Sequence, residues 1–310
     1  MQNNKTKFVF FGTGDFAARI LEYLHKNDLC PALIVTTPDK PRGRNLKLLP
    51  NPVKDWANKN NKVVVHPDNL NDIRNVLASA YDVFVVADYG RIIPRHILNI
   101  PSHGCLNIHP SLLPKFRGPS PIQSFILSGE QKTGVTIILM DEEIDHGPII
   151  TKSEIPARRC YASSVAGGRS TKSETYKELE EKLAELGAKI LIETLPKWIE
   201  GKIKPQEQDH SQATYTKKIT KEDGLIKPED SPEIIDRKVR AFTPWPGVYF
   251  FIKKKDKEMR IIITDAELEN GKLVIKKIKP EGKNEMPFKD FLKGNRDIEP
   301  QIQKLTEKNL

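Results

Sequence analysis

The sequence has little cysteine, and its cysteines do not cluster. Cys30, Cys105 and Cys160 are widely separated in a chain of 310 residues, and no two of them form a Cys-x-x-Cys pair. An odd number of scattered thiols supports neither a disulfide framework nor a zinc knuckle. We therefore expect no structural metal and no disulfide scaffold.

Long apolar runs are also missing. The run that begins at Phe8 turns polar after five residues, which is too short for the core of a signal peptide. No later run approaches the roughly 20 residues that a membrane-spanning helix needs. These absences predict a soluble, cytoplasmic protein with no membrane partner, and we expect it to be a monomer.

Acidic residues are outnumbered by basic ones. Fifty Lys and Arg face 41 Asp and Glu, which gives a net charge of +9. Such a charge favours a polyanionic partner and says little about the fold. Apolar residues make up 38% of the chain, which is enough for a core, and the length allows one large domain or two ordinary ones.

Short apolar runs alternate with helical patterns over the first 200 residues. This alternation predicts an α/β fold with a mainly parallel sheet that is covered on both faces. A capping box from Thr175 to Glu178 predicts the start of a long helix that ends near Trp198. The predicted strands are 7–11, 32–37, 62–66, 82–87, 105–109 and 134–140, and a helix is predicted at 15–26.

The last third of the chain has a different pattern. A polar stretch without a clear period suggests a linker at 204–224, between an N-terminal domain at 1–203 and a C-terminal domain at 225–310. The apolar runs beyond residue 245 are β-rich and spaced like hairpins, which predicts a small β-barrel. Residues 157–172 are rich in glycine, serine and basic residues, and we expect a surface loop there.

A glycine-rich turn after the first strand raises a rival function. Gly12, Gly14 and Ala17 match the spacing of a dinucleotide fingerprint, which would indicate a nicotinamide enzyme. The acidic residue expected after the second strand is missing, since Thr36 and Thr37 stand there and Asp39 comes late. We therefore interpret the turn as one that packs the first helix against the sheet.

The strand predicted at 105–109 ends in polar residues. Alternation places Asn107 and His109 on one face and Leu106 and Ile108 on the other. Ligands of open α/β sheets bind at the carboxyl edge of the strands, where this pair lies. We interpret the two side chains as a functional site, against the alternative of a buried structural histidine.

The chemistry of this pair can be narrowed. A metal site would need more histidine or cysteine ligands, and neither Ser111 nor Cys105 has the context of an activated nucleophile. An asparagine N–H can stabilise an oxyanion, and a histidine can polarise the same centre or move a proton. Asp145, before a glycine turn, could orient the histidine, although a turn-capping role is an equal alternative from spacing alone.

These residues resemble a known family. Asn107-x-His109, the following Ser111-Leu112-Leu113-Pro114-x-x-Arg117-Gly118 and the later Asp145-x-Gly147 are similar to the signature of the 10-formyltetrahydrofolate-dependent formyltransferases. Four further stretches narrow the resemblance to the members that act on methionyl-tRNA, across essentially the whole chain. They are residues 36–44 taken together with 50–54, residues 212–215, residues 240–247 and residues 280–283.

The resemblance implies a Rossmann-like catalytic domain followed by an OB-like domain that binds tRNA. It implies transfer of the formyl group of 10-formyltetrahydrofolate to the α-amino group of methionine on initiator tRNA, without a metal. Carried over by position, Asn107, His109 and Asp145 match the catalytic trio. The implied folate contacts are Ser111, Leu112, Leu113, Pro114, Tyr89, Gly90, Arg91 and Ile92.

The resemblance also implies a tRNA-binding loop after the second strand. Lys40, Arg42, Arg44 and Lys47 form a basic cluster there, and Arg44 is the residue that we expect to matter most. Trp245 could stack on a base, but we expect it to be buried at the domain junction. The chain departs from the family pattern at Asp88, and the stretch 157–172 is longer than usual.

Three other functions remain at this point. An amino-sugar nucleotide formyltransferase would share the same three catalytic residues, but the basic cluster favours tRNA. A non-catalytic tRNA-binding protein would not need an intact trio. The nicotinamide enzyme is the weakest alternative, because its fingerprint is incomplete.

Overall fold

The computed structural model describes residues 6–42, 47–79, 81–156, 173–254, 257–269 and 271–295. In chain order, the helices and strands are β1 Phe8–Gly12, α1 Asp15–Lys26, β2 Leu33–Val35, β3 Lys40–Arg42, β4 Lys47–Leu49, α2 Pro52–Lys59, β5 Val64–Val65, α3 Arg74–Leu77, β6 Val83–Ala87, α4 Arg95–Leu98, β7 Cys105–His109, α5 Pro121–Ser128, β8 Lys132–Leu139, β9 Ile149–Pro156, α6 Tyr176–Ile199, α7 Pro232–Phe242, β10 Val248–Lys254, β11 Lys257–Glu269, β12 Lys272–Pro280, β13 Met286–Pro287 and α8 Phe288–Lys293.

The central sheet has seven strands in the order β5-β2-β1-β6-β7-β8-β9. Neighbours from β5 to β7 are parallel, and β7 pairs with β8 in the antiparallel sense. β1 and β6 are buried along their whole length, as the unbroken apolar runs predicted. The predicted α/β fold with a mainly parallel sheet is confirmed.

The two faces of β7 differ as strand alternation predicted. Ile108 points toward α6, because a side chain at Gly187 of α6 would come within 2.8 Å of Ile108 Cγ2. Asn107 and His109 follow the opposite alternation. One face of β7 therefore packs Ile108 against α6. The other face carries the two polar side chains, Asn107 and His109, at the end of the strand.

The turn between β1 and α1 is a packing turn. A Cβ atom at Gly12 would lie 2.7 Å from Ala17 Cβ and 2.7 Å from Phe10 Cε1, so only glycine lets the helix approach the strand this closely. Gly14 is the N-cap residue of α1 and has an extended backbone. This geometry supports the packing interpretation of the glycine pattern.

The basic segment after β2 forms a two-stranded antiparallel hairpin, in which Lys40 pairs with Leu49 and Arg42 with Lys47. The base of the hairpin is tied to α2, since Lys54 Nζ lies 2.7 Å from Asp39 Oδ2. Lys40 is exposed. Arg44 lies outside the described residues.

The chain divides into two compact units. The first comprises the residues up to Pro121, Thr133–Ile155 and Glu180–Thr216, and the second comprises the rest. The second unit contains a four-stranded antiparallel sheet in the order β10-β11-β12-β13. Val248, Phe250 and Ile252 are buried on one face of β10, which confirms the predicted β-rich unit. Closure of this sheet into a barrel remains a prediction.

The remaining predictions about the fold have different outcomes. The predicted capping box is present, with Thr175 N–H donating to Glu178 Oε2 at 2.8 Å. The predicted burial of Trp245 is wrong, because its side chain is 54% exposed. The surface loop expected at 157–172 lies outside the described residues. Nor does anything test the predicted domain division, which stays a prediction.

Candidate functional site

Three polar side chains meet at the end of β7. Asn107 Nδ2 donates to Asp145 Oδ1 at 3.0 Å, and Asp145 Oδ2 lies 3.6 Å from His109 Nδ1. Asp145 comes from the turn between β8 and β9, 38 residues after Asn107. The fold thus brings together the three residues that the sequence singled out, around one carboxylate.

His109 lies between two oxygen atoms and is only 4% exposed. Its Nδ1 faces the Asp145 carboxylate, and its Nε2 lies 2.9 Å from the carbonyl oxygen of Phe116. A neutral imidazole can donate to one of these acceptors, whereas a ring with protons on both nitrogens can donate to both. Any direct contact between Nε2 and a substrate requires the Phe116 carbonyl to move away.

The backbone on both sides of Asp145 is tightly shaped. Asp145 itself has φ +51°, and its Oδ2 accepts a hydrogen bond of 2.8 Å from the backbone N–H of Gly118. A Cβ atom at Gly147 would come within 1.9 Å of the Leu139 carbonyl oxygen. A glycine is therefore required two residues after the aspartate, in order that the turn can lie against the end of β8.

The turn after β7 is held by hydrogen bonds within the turn and to β8. Ser111 Oγ donates to the Lys115 carbonyl at 2.6 Å, and the Ser111 carbonyl accepts from Thr136 Oγ1 at 2.7 Å. Ser111 and Leu113 are buried, while Leu112 and Pro114 remain partly exposed. Of the four residues predicted to contact folate here, Leu112 and Pro114 therefore have side-chain surface to offer.

The loop after β6 offers a different kind of surface. Tyr89 is buried with its ring edge-on to that of Phe11, and the two ring centroids are 5.5 Å apart. The Arg91 guanidinium donates to the backbone carbonyls of Pro67 and Asp68. Ile92, by contrast, is 86% exposed. Gly90 has φ +71° and open space where a Cβ would stand. In the described residues, no hydrogen bond uses the backbone N–H of Gly90, Arg91 or Ile92.

Tyr89 has a perturbed hydroxyl. Its oxygen is buried and has no hydrogen-bond partner by geometry in the part of the chain that the structure describes. Burial raises the pKa of Tyr89, and the nearby Arg91 guanidinium opposes that rise. The loop is thus anchored at one end by the buried ring of Tyr89. At the other end it exposes the side chain of Ile92 and backbone N–H groups that make no hydrogen bond among the described residues.

Asp88 joins this loop to the glycine turn. Its backbone carbonyl accepts from Thr13 N–H at 3.0 Å and from Gly14 N–H at 3.4 Å, and its φ is +44°. Burial, followed by repulsion from Glu180 and Asp15, raises the pKa of Asp88 to about 7. By surface area, however, the residue as a whole is exposed.

Two negative findings concern the described residues only. Within ranges 6–42, 47–79, 81–156, 173–254, 257–269 and 271–295, no group of three or more His, Cys, Asp or Glu side chains could hold a metal ion. Over the same ranges, no helix has the length and apolar character needed to cross a membrane.

Comparison with known proteins gives a consistent result. The family profile for formyl transferase matches residues 6–195, and the profile for the formyl transferase C-terminal domain matches residues 218–272. The methionyl-tRNA formyltransferase of Carboxydothermus hydrogenoformans is 37% identical over an alignment of 314 positions, gaps included, that covers 94% of this chain and 97% of that protein. The enzyme of the same name from Geobacter sulfurreducens is 33% identical and covers 95% of each chain.

Solved structures agree on the fold. The methionyl-tRNA formyltransferase from Clostridium thermocellum has a TM-score of 0.55 at 18% identity, covering 89% of this chain and 98% of that one. A 4-N formyltransferase from Francisella tularensis has a TM-score of 0.60 at 20% identity, covering 82% of this chain and 96% of that one. The two profiles and the sequence relatives establish that the chain belongs to the formyl transferase family.

Proposed function

We propose that the protein transfers the formyl group of 10-formyltetrahydrofolate to the α-amino group of methionine on initiator methionyl-tRNA. The observation that carries this proposal is the convergence of Asn107, His109 and Asp145 at the end of β7. These groups can assist an external amine, and none of them is a nucleophile of its own. Curated relatives named for this reaction match nearly the whole chain.

Asn107 is the donor for the developing oxyanion. One N–H of its amide is used by Asp145, at 3.0 Å, which fixes the plane of the amide. The other N–H then has a fixed direction, and a pre-oriented donor needs no reorganisation when charge develops on the formyl oxygen. His109 is buried beside the same carboxylate, so its ring contributes to the electrostatics of this centre.

Asp145 acts as the orienting base. Its two oxygens accept from the Asn107 amide and the Gly118 backbone, which fixes the orientation of the carboxylate. When the amine nitrogen bonds to the formyl carbon, the bond from that carbon to the folate nitrogen breaks. The amine proton passes to the Asp145 carboxylate, which then donates it to the leaving folate nitrogen, so that the carboxylate is regenerated.

The loop after β6 fits the flat, polar ring of a folate. When bound, 10-formyltetrahydrofolate supplies a formyl group that is activated for transfer to an amine. The unused N–H groups of residues 90–92 can donate to ring acceptors, and the exposed Ile92 can pack against a ring face. Leu112 and Pro114 are the residues of the second predicted turn with surface available for the same ligand.

The hairpin β3–β4 favours tRNA over a sugar nucleotide as the acceptor. It brings Lys40, Arg42 and Lys47 into two short paired strands, with Arg44 between the strands in sequence. Cations in this arrangement suit a phosphate backbone, which attracts several at once and gives salt-dependent binding. A sugar nucleotide has fewer phosphates than an RNA acceptor end, so it would need fewer such residues.

The test is a formylation assay with two acceptors. The protein is incubated with 10-formyltetrahydrofolate and either methionyl-tRNA or a 4-amino sugar nucleotide. We expect formylation of methionyl-tRNA, and formylation of the sugar nucleotide alone would replace this proposal with the alternative. If neither acceptor is formylated, both functions are wrong.

Asn107→Ala tests the site itself. We expect turnover to fall by about 10²- to 10³-fold, because a pre-oriented oxyanion donor is lost. Affinity for methionyl-tRNA in a filter-binding assay should stay close to that of the wild type. Asn58→Ala, at an exposed position of α2, is the matched control and should retain full turnover. A large loss of tRNA affinity in Asn107→Ala would show that the residue has been misassigned.

A further inference from the structure

Arg117 is a buried cation with neutral partners. Its side chain is only 1% exposed. Its Nη2 lies 2.7 Å from Gln208 Oε1 and 2.9 Å from His210 Nδ1, and its Nη1 lies 3.4 Å from the Tyr215 hydroxyl. Within the described residues, no carboxylate reaches it at ion-pair distance. Burying a guanidinium in this way is costly, which calls for a role that offsets the cost.

Gln208 passes this contact on to the turn that carries Asp145. The side chain is 4% exposed, and its Oε1 accepts from both Nε and Nη2 of Arg117, at 3.3 and 2.7 Å. Its Nε2 faces three successive carbonyl oxygens, those of Asp145 at 3.0 Å, His146 at 3.0 Å and Gly147 at 2.7 Å. A cation on the oxygen side polarises the amide and strengthens what its N–H groups donate.

The backbone of Arg117 reaches the same aspartate by a second route. The next residue, Gly118, donates its N–H to Asp145 Oδ2 at 2.8 Å. Arg117 is itself fixed by segment 206–216, since its N–H donates to the Thr214 carbonyl at 2.8 Å and its carbonyl accepts from Thr216 N–H at 2.7 Å. Arg117 therefore reaches Asp145 in two ways. Its side chain binds Gln208, which donates to the backbone of the Asp145 turn, and its neighbour Gly118 donates to the Asp145 carboxylate.

We propose that Arg117 and Gln208 are positioning residues, which hold Asp145 at the distance from Asn107 and His109 that formyl transfer requires. This inference rests on the proposed function. Both side chains act through Asp145, which the hydrogen bonds of Gln208 and Gly118 reach. Since a displacement of about 1 Å in a reacting group can cost on the order of 10²-fold in rate, such a clamp affects turnover more than substrate binding.

The first test is Gln208→Leu, which keeps the size of the side chain and removes its hydrogen bonds. We expect kcat for methionyl-tRNA to fall about 10- to 100-fold, with KM for both substrates within twofold of the wild type. Gln206→Leu, at an exposed position of the same segment, is the matched control and should behave as the wild type. A kcat of Gln208→Leu within twofold of the wild type would overturn the inference.

A double-mutant cycle separates positioning from a general structural effect. In an Asp145→Asn background, measured in single turnover with excess enzyme, adding Gln208→Leu should change the rate by less than twofold, because the group that it positions is already disabled. An equal loss in both backgrounds would mean that Gln208 does not act through Asp145.

Gln208→Glu keeps the inference testable should the leucine variant fail to fold. The glutamate retains an acceptor for Arg117 but turns an oxygen toward the three carbonyls, so we expect the same fall in kcat in a folded protein. A fully active Gln208→Glu would refute the clamp. Turnover of the wild type tests the proposed function, and the ratio of variant to wild type tests the positioning, so the two failures are distinguishable.

Discussion

The substitution Asp88→Asn tests how much the negative charge of Asp88 lowers the stability of the folded protein. Asparagine has the same shape and tolerates the φ of +44° equally well, so the substitution changes little besides the charge. Burial and the neighbouring acids Glu180 and Asp15 raise the pKa of Asp88 from 3.8 to about 7 in the folded protein. The folded state therefore binds the Asp88 proton more tightly than the unfolded chain does.

The sign of the effect on stability follows from that difference. The contribution of Asp88 is most favourable below pH 4 and is lost as the pH rises toward 7, because deprotonation then opposes folding. At 1.36 kcal/mol per pH unit, the change from 3.8 to about 7 sets an upper limit of about 4 kcal/mol. Since the residue is exposed by surface area, solvent screens much of this, and we expect about 1 kcal/mol.

The assay is thermal and urea unfolding of the wild type and Asp88→Asn at several pH values between 4 and 8.5. We expect the two curves to coincide near pH 4 and the variant to become more stable above pH 7, with the gap opening between. Differences between the two proteins cancel the titration of all other groups. Parallel curves, or a variant that is less stable at pH 8, would refute the reasoning.

Two further predictions concern reactivity and charge. Burial raises the pKa of Cys105 to about 12, so at pH 8 we expect iodoacetamide to alkylate the half-buried Cys30 and to spare Cys105 until the protein unfolds, as measured by peptide mass spectrometry. Equal rates at both thiols would contradict this burial. If the hairpin binds phosphates, Lys40→Ala should weaken methionyl-tRNA binding and reduce the dependence of log K on log salt by about 0.7 to 0.9. Lys59→Ala on α2 removes the same charge elsewhere, and an equal effect from both variants would argue against a specific contact.

Local pattern was enough to predict the strand that carries the site. The apolar run and its alternation predict β7 at the observed residues 105–109, with Asn107 and His109 on one face. The partnership with Asp145 depends on the turn after β8, and spacing alone left it equal to a capping role. In the structure, the carboxylate contacts both side chains, which spacing could not show because 38 residues separate Asn107 from Asp145.

The role of Gln208 could not be predicted from the sequence, for a physical reason. It lies in a polar stretch without a period, and its partners at 145–147 are more than 60 residues away. No local rule distinguishes a buried glutamine from a solvated one until the chain around it is folded. Arg117 was part of the recognised motif, but only its burial shows that it is more than a surface cation. For Trp245 the sequence predicted burial and the residue is exposed, because flanking prolines do not determine whether a side chain is buried.

The pairing of segment 206–216 has a consequence for protein engineering. Gln206 forms a β-bridge with Ile149, and Tyr215 forms one with Arg117, so both ends of the segment are paired within the first unit. A chimaera that joined this unit to a foreign C-terminal half at residue 203 would exchange these pairings for unrelated sequence. A junction placed after Thr216 would retain them, and it is there that recombination between related chains should yield active proteins.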